Sequence, residues 1–174
     1  WEVINNSSRI GVEGSEELSG DLEAFYKIEW EVDADDGGTT MKARDRYVGL
    51  GGGFGSVKVG NFDTPLKKAQ GKVDQFNDLA GDIKYILAGE NRLGNSIQYS
   101  TNEMSGLQFN LDLIQGEDYD DGTNHDAKDG IGDSISASVT YSMDSMYFAL
   151  GYDSEVASKV YTGVGSTVDA GPPA

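Results

Sequence analysis

From Leu22 to Val32 the chain alternates without a break: Leu22, Ala24, Tyr26, Ile28, Trp30 and Val32 interleave with Glu23, Phe25, Lys27, Glu29 and Glu31. Successive side chains of a β-strand point to opposite faces, so this segment carries one apolar face and one mostly charged face. The period returns at 107–113, where Leu107, Phe109, Leu111 and Leu113 alternate with Gln108, Asn110 and Asp112. It returns again at 134–142, with Ile135, Ala137, Val139 and Tyr141 set against serines and a threonine. Strands of this kind, joined by short turns on one side and long polar loops on the other, predict an all-β fold: a transmembrane antiparallel β-barrel with a watery lumen.

Eight strands are expected, at 8–14, 22–33, 44–51, 56–62, 92–101, 107–115, 134–143 and 145–153. The connections at 15–21, 52–55, 102–106 and near Asp144 are short, whereas 34–43, 63–91 and 116–133 are long. That asymmetry is the one outer-membrane barrels show between their periplasmic turns and outer loops. Residues 1–159 read as one barrel segment containing the 63–91 loop, and 160–174 as an irregular tail without barrel patterning.

Composition removes several classes. The mean hydropathy is −0.45, and no apolar run approaches the length of a membrane-spanning helix. Long helical periodicity is also missing, which argues against an α-rich enzyme. A net charge of −17 makes a nucleic-acid partner a poor fit, because phosphate binding needs clustered Lys and Arg. Without cysteine there are no disulfide staples or thiolate metal sites. The 51–55 glycine cluster leads into a strand rather than a helix, so turn chemistry accounts for it. The reading is a non-enzymatic protein with no cofactor.

The run Ser8-Arg9-Ile10-Gly11-Val12-Glu13-Gly14, followed by Glu16-Glu17-Leu18 and Gly20-Asp21-Leu22-Glu23-Ala24, resembles the second and third strands of Gram-negative general diffusion porins. Arg46-Tyr47-Val48-Gly49-Leu50, running into Gly53-Phe54-Gly55-Ser56-Val57-Lys58-Val59-Gly60-Asn61, resembles the family's next hairpin. The resemblance implies an outer-membrane trimer of sixteen-stranded barrels passing ions and small hydrophilic solutes, with a third outer loop folded inward. It gives lipid and lipopolysaccharide as surroundings. This chain would supply about the second to ninth strands, and is expected to be part of a longer protein. An open eight-strand half barrel in lipid would expose two unsatisfied edges. The alternative is a small closed eight-stranded structural or adhesive barrel with little conductance, and a third, more distant one is a soluble acidic β-sandwich.

In this family, arginines on the wall face carboxylates on the infolded loop. By position, Arg9, Arg44 and Arg92 correspond to the wall arginines. Alternation supports an inward direction for Arg9, which shares a face with Gly11 and Glu13, and for Arg92, which shares one with Gly94, Ser96 and Gln98; Arg46, two residues from Arg44, is expected to join them. The candidate acids are Asp74, Asp78 and Asp82, whose spacing by four would stack them along a short helix, with Val73, Phe76, Leu79 and Ile83 packing on the wall. Lys67, Lys68 and Lys72 in the same loop would weaken its negative side. Asp118, Asp120, Asp121, Asp126, Asp129 and Asp133 form a weak divalent-cation candidate, though nonspecific acidity explains them more simply. The single histidine, His125, sits among them as a solvent-exposed residue.

Overall fold

The computed structural model describes residues 5, 7–33, 35, 41–71, 73–116, 131–154, 156, 159–161 and 167–169. Eight strands form a single antiparallel sheet in chain order: β1 (Arg9–Ser19), β2 (Leu22–Val32), β3 (Met41–Gly52), β4 (Gly55–Asp63), β5 (Arg92–Ser100), β6 (Leu107–Ile114), β7 (Ser134–Met143) and β8 (Met146–Ser154). β1 and β8 are its two edges; they are not paired with each other among the described residues, so the sheet is an open wall and not a small closed barrel. β1 runs on to Ser19, well past the expected end at Gly14, because β2 offers it a ladder down to Glu17–Glu23. Two further short strands, β9 (Lys159–Tyr161) and β10 (Thr167–Asp169), pair antiparallel where an irregular tail was expected.

Register decides what each face carries. Tyr26 lies opposite Val48, Val48 opposite Val59, Val59 opposite Ile97, Tyr99 opposite Leu111, and Phe109 opposite Val139. Directly opposed residues share a face, so these side chains form one continuous apolar band across the strands. Most of its members are exposed, from 36% at Ile97 to 55% at Val48; Val139 is half-buried, and Leu150 opposite it on β8 is 77% exposed. An apolar surface of this extent needs an apolar medium. The opposite, concave face holds the buried polar residues, among them Ser96, Gln98, Asp112, Ser136 and Ser138. Apolar-out and polar-in is the inverse of a soluble core and the pattern of a membrane barrel. No helix of the described residues is long and apolar enough to cross a membrane.

Thiol labelling of Ser138→Cys and Val139→Cys variants tests the phase directly. Water-soluble maleimide should modify the 138 position and spare 139 in lipid; the reverse order would mean that every side chain of β7 has been assigned to the wrong face.

Two bulges break the alternation. Between Ile28 and Trp30 the register shifts so that Glu29 faces both Arg44 and Asp45. Between Gly60 and Phe62 it shifts again, and Asn61 faces both Gly94 and Asn95, the latter with φ of 52°. An extra residue of this kind changes the phase of everything beyond it.

Candidate functional site

The 64–91 connection between β4 and β5 crosses the concave face instead of standing away from it. Thr64 and Asn91, both buried, close its base through Thr64 N–H donating to the Asn91 carbonyl at 3.1 Å. Thr64 then caps the helix α1 (Pro65–Ala69): its hydroxyl accepts from Lys67 N–H, and Pro65 occupies the first turn, where its missing donor costs nothing. The helix lands on the far strands. Leu66 N–H donates to Ser136 Oγ at 3.2 Å on β7, Tyr147 on β8 donates its hydroxyl to the Ala69 carbonyl at 2.9 Å, and Asn91 Nδ2 reaches Asp153 Oδ2 at 3.5 Å. Gly151 permits this approach, since a Cβ there would run into the Leu66 side chain and lie 3.2 Å from its Cα.

Beyond α1 the segment turns back toward β1. The expected helix through Asp74, Asp78 and Asp82 is not formed, and the three acids have different tasks. Asp74 Oδ1 accepts from Phe76 N–H in a local turn. Asp78, with φ of 62°, places its carboxylate 2.8 Å from Arg9 Nη2. Asp82 is almost fully buried; it accepts from the N–H groups of Asp78 and Lys84, each at 2.9 Å, caps the 3₁₀ turn Ile83–Tyr85, and pairs with Lys84 Nζ at 2.8 Å. Val73, Phe76 and Leu79 do not pack against the wall as expected, being 62%, 58% and 54% exposed. Without a helix, their spacing no longer gathers them on one side.

Burial pushes the Asp82 carboxyl up, but the Lys84 ammonium and the two backbone donors outweigh it and hold it below the usual carboxylate range. For Lys84, burial pulls downward and Asp82 more than compensates, so the ammonium is held above its usual range. A carboxyl whose folded value is depressed stabilises the fold above its unfolded value, about 4, and loses that contribution as pH falls through the folded value. Hydrogen-exchange protection of 78–87 should therefore be level from pH 8 to about 5 and decline below about 4. In Asp82→Asn it should be weak throughout; an Asn variant matching wild type at pH 7 would show that the charge does not hold the loop.

The wall arginines are neutralised from the wall itself. Arg44 Nε lies 2.7 Å from Glu29 Oε1 and its Nη1 lies 3.2 Å from Glu31 Oε2. Arg92 Nε is 2.8 Å from Asp45 Oδ1, and its Nη2 is 2.8 Å from Asp63 Oδ1. Around them Lys27 pairs with Glu29 at 3.1 Å, Lys42 with Glu31 at 3.4 Å, and Lys67 with Asp63 at 3.3 Å and Glu90 at 3.0 Å. Of the three arginines Arg9, Arg44 and Arg92, Arg9 alone pairs with an acid of the 64–91 loop among the described residues. The arrangement is a lattice of alternating charge along one side of the concave face, with the loop touching its edge.

Arg46 does not belong to it. The bulge at Arg44 and Asp45 turns both inward and leaves Arg46 opposite Ile28 and Asn61, on the apolar face with Val48. Arg92 does reach the inner network, but through its contacts and not by unbroken alternation, since the second bulge sets Leu93 opposite Phe62. Glu29, Glu31, Asp45 and Asp63 were not singled out from sequence as site residues. Arg44-Asp45-Arg46 held a signal: three successive charges cannot fit a period of two with one apolar face, and a bulge resolves the conflict. Asp118, Asp120, Asp121, Asp126, Asp129, His125 and Lys72 lie outside the described residues, and no group of acids or histidines among the described ones converges as a metal site.

An apolar-out, polar-in antiparallel wall whose concave face is crossed by a strapped loop and a lattice of ion pairs defines a membrane β-barrel of the porin class. The sequence matches the Gram-negative porin family over residues 1–174, and the chain belongs to that family and to the Gram-negative outer membrane. It is 26% identical over 135 residues to the major outer membrane protein P.IB of Neisseria gonorrhoeae, covering 71% of this chain and 39% of that protein. To the P.IB protein of Neisseria sicca it is 36% identical over 89 residues, covering 51% of this chain and 25% of the relative. The anion-selective porin from Comamonas acidovorans superposes with a TM-score of 0.65 at 25% identity, covering 91% of this chain and 49% of that one. The Salmonella typhi OmpF structure in complex with daunomycin superposes with a TM-score of 0.66 at 18% identity, 92% of this chain against 51% of that one, and shows the shared fold. The chain thus spans less than half the length of these curated relatives and about half of the solved porins.

Proposed function

We propose that this chain forms one side of a passive, water-filled channel for ions and small hydrophilic solutes, within a homotrimeric porin surrounded by outer-membrane lipid and lipopolysaccharide. Residues 1–159 would form the barrel segment. The observation that carries the reading is the loop: it leaves β4, is anchored on β7 and β8, and returns so that Asp78 meets Arg9 on β1. A segment tied across a concave polar face narrows whatever passage that face borders. Its charges would then set a transverse field, with Arg9, Arg44 and Arg92 interleaved with Glu29, Glu31, Asp45, Asp63 and Asp78 at the constriction. The arrangement calls for no chemistry on the solute: binding is weak and passage depends on size and charge.

The full-length protein, purified in mild detergent and inserted into planar bilayers, should give stepwise ohmic conductance and a trimer by native mass spectrometry. Correctly folded protein that gives no steps above the detergent background would overturn the channel reading, and a stable monomer would overturn the assembly.

A further inference from the structure

We propose that the outward dent where β3, β4, β5 and β6 approach the long connections seats the head group of an outer-leaflet lipid that ends in a phosphomonoester, with Arg46 as the cation that grips it. The dent has a volume of about 620 Å³, and Arg46, Asn61, Asn95 and Gln115 line it together with Val59 and Ile97. It lies on the other side of the sheet from the loop and the ion-pair lattice. The assignment rests on the apolar face meeting lipid and not on the channel reading.

Charge is the first observation. Arg46 is exposed on the apolar face, opposite Ile28 on one neighbouring strand and Asn61 on the other. Arg9, Arg44 and Arg92 each pair with a carboxylate, whereas Arg46 makes no ion pair among the described residues. A guanidinium on the outside of a barrel is stabilised at the level of the head groups, where an anionic lipid supplies the counter-charge.

Depth is the second. Gln115 continues the ladder beyond β6 by donating its N–H to the Asn95 carbonyl at 3.1 Å, and it stands four residues from Leu111 on the same face. At about 3.3 Å per residue and a strand tilt of about 40°, that separation is roughly 10 Å along the membrane normal, close to half of the apolar band of about 25 Å that such barrels present. With Leu111 near the midplane, the dent lies where acyl chains end and head groups begin. The 64–91 and 115–133 connections leave the sheet from this end, so the leaflet is the outer one. On the midplane side of the dent, Val48, Val59, Ile97 and Leu113 stand opposite one another in register and give the acyl chains an apolar track.

The donors select the head group. A guanidinium fork takes two phosphate oxygens at once, and the carboxamides of Asn61 and Gln115 add donors for a third. Asn61 Nδ2 donates to the Arg44 carbonyl at 2.9 Å, which fixes the amide beside Arg46 and leaves its second hydrogen for the ligand. A phosphomonoester presents three free oxygens and a phosphodiester two, so this set of donors favours the monoester.

Native mass spectrometry of the full-length protein in mild detergent, with dioleoylphosphatidic acid, dioleoylphosphatidylglycerol and inorganic phosphate as probes, tests the assignment. Phosphatidic acid should be retained at one molecule per chain and phosphatidylglycerol at least about fivefold more weakly. Inorganic phosphate should neither bind nor displace the lipid, because it has no chains for the apolar track. Arg46→Gln should weaken phosphatidic acid at least tenfold, Arg46→Lys should fall between, and Gln115→Leu should bring the two lipids toward equal retention. Urea unfolding of each variant at the wild-type midpoint certifies the fold, and Gln115→Leu carries the test if Arg46→Gln does not fold. Equal retention of both lipids by wild type, retention unchanged in Arg46→Gln, or displacement of the lipid by inorganic phosphate would overturn the site. Arg46→Gln should also leave conductance and reversal potential at the wild-type values, since Arg46 faces away from the lumen; lipid retention by a protein that does not conduct keeps the site and retires the channel reading, and a reversal potential that moves in Arg46→Gln would overturn the outward placement.

Discussion

Leu111→Arg is expected to destabilise the folded protein in lipid by about 2–4 kcal/mol, the cost of an arginine near the midplane of a barrel's lipid-facing side. Leu111 sits halfway along β6, opposite Tyr99 and Ala137, and is 42% exposed within the apolar band. The substitution places a charge among neighbours that offer no partner. Its sequence neighbour Asn110 points to the concave face, where its amide donates to Ser138 Oγ at 3.3 Å, and Asn110→Asp should change stability little because water reaches that side. Urea unfolding of the full-length protein in vesicles, followed by tryptophan fluorescence, reads both. Equal effects at 110 and 111 would remove the distinction between the lipid and water faces on which the architecture rests.

Arg44→Ala combined with Arg92→Ala should move the reversal potential strongly toward cation preference. The pair neutralises Glu29, Glu31, Asp45 and Asp63, and its removal leaves four carboxylates with a smaller share of positive charge. A unit charge at about 6 Å in water is worth about 0.7 kcal/mol, roughly threefold in local ion occupancy, and two such charges give about tenfold before screening. Screening over a Debye length of about 8–10 Å reduces this without abolishing it, while distant acidic loops contribute less. Folding should survive, because Lys27 and Lys42 still hold Glu29 and Glu31, and Lys67 still holds Asp63. Asp78→Asn frees Arg9 and should shift selectivity the opposite way. A double variant that folds, conducts and reverses at the wild-type potential would show that the ion-pair lattice does not border the permeation path.

Arg46 shows how far the sequence could be followed. Two residues from Arg44, it satisfies the same parity on paper, and only the ladder with β2 reveals that Glu29 takes two partners and sends Arg46 outward. The acids tell the same story from the other side. Glu29 and Glu31 were visible as the charged face of β2, but nothing in their spacing names Arg44 as their partner, because that pairing joins segments 13 and 15 residues apart through strand register. For the loop, a spacing of four suggested a helix, whereas Asp82 takes the backbone donors of Asp78 and Lys84 and ties the segment into turns. Side-chain acceptors that capture backbone N–H groups compete with helix formation in this way.

The period-two pattern by itself determined the eight main strands, their face toward an apolar medium, and the alternation of short and long connections, because side-chain direction in a strand is a local property of the backbone. Tertiary structure decided the bulges, the ion-pair partners, and the path that carries the loop from β4 over β7 and β8 to Arg9. Those features depend on which residues meet across the sheet, and one inserted residue in a ladder is enough to reverse a phase that the sequence alone carries forward unchanged.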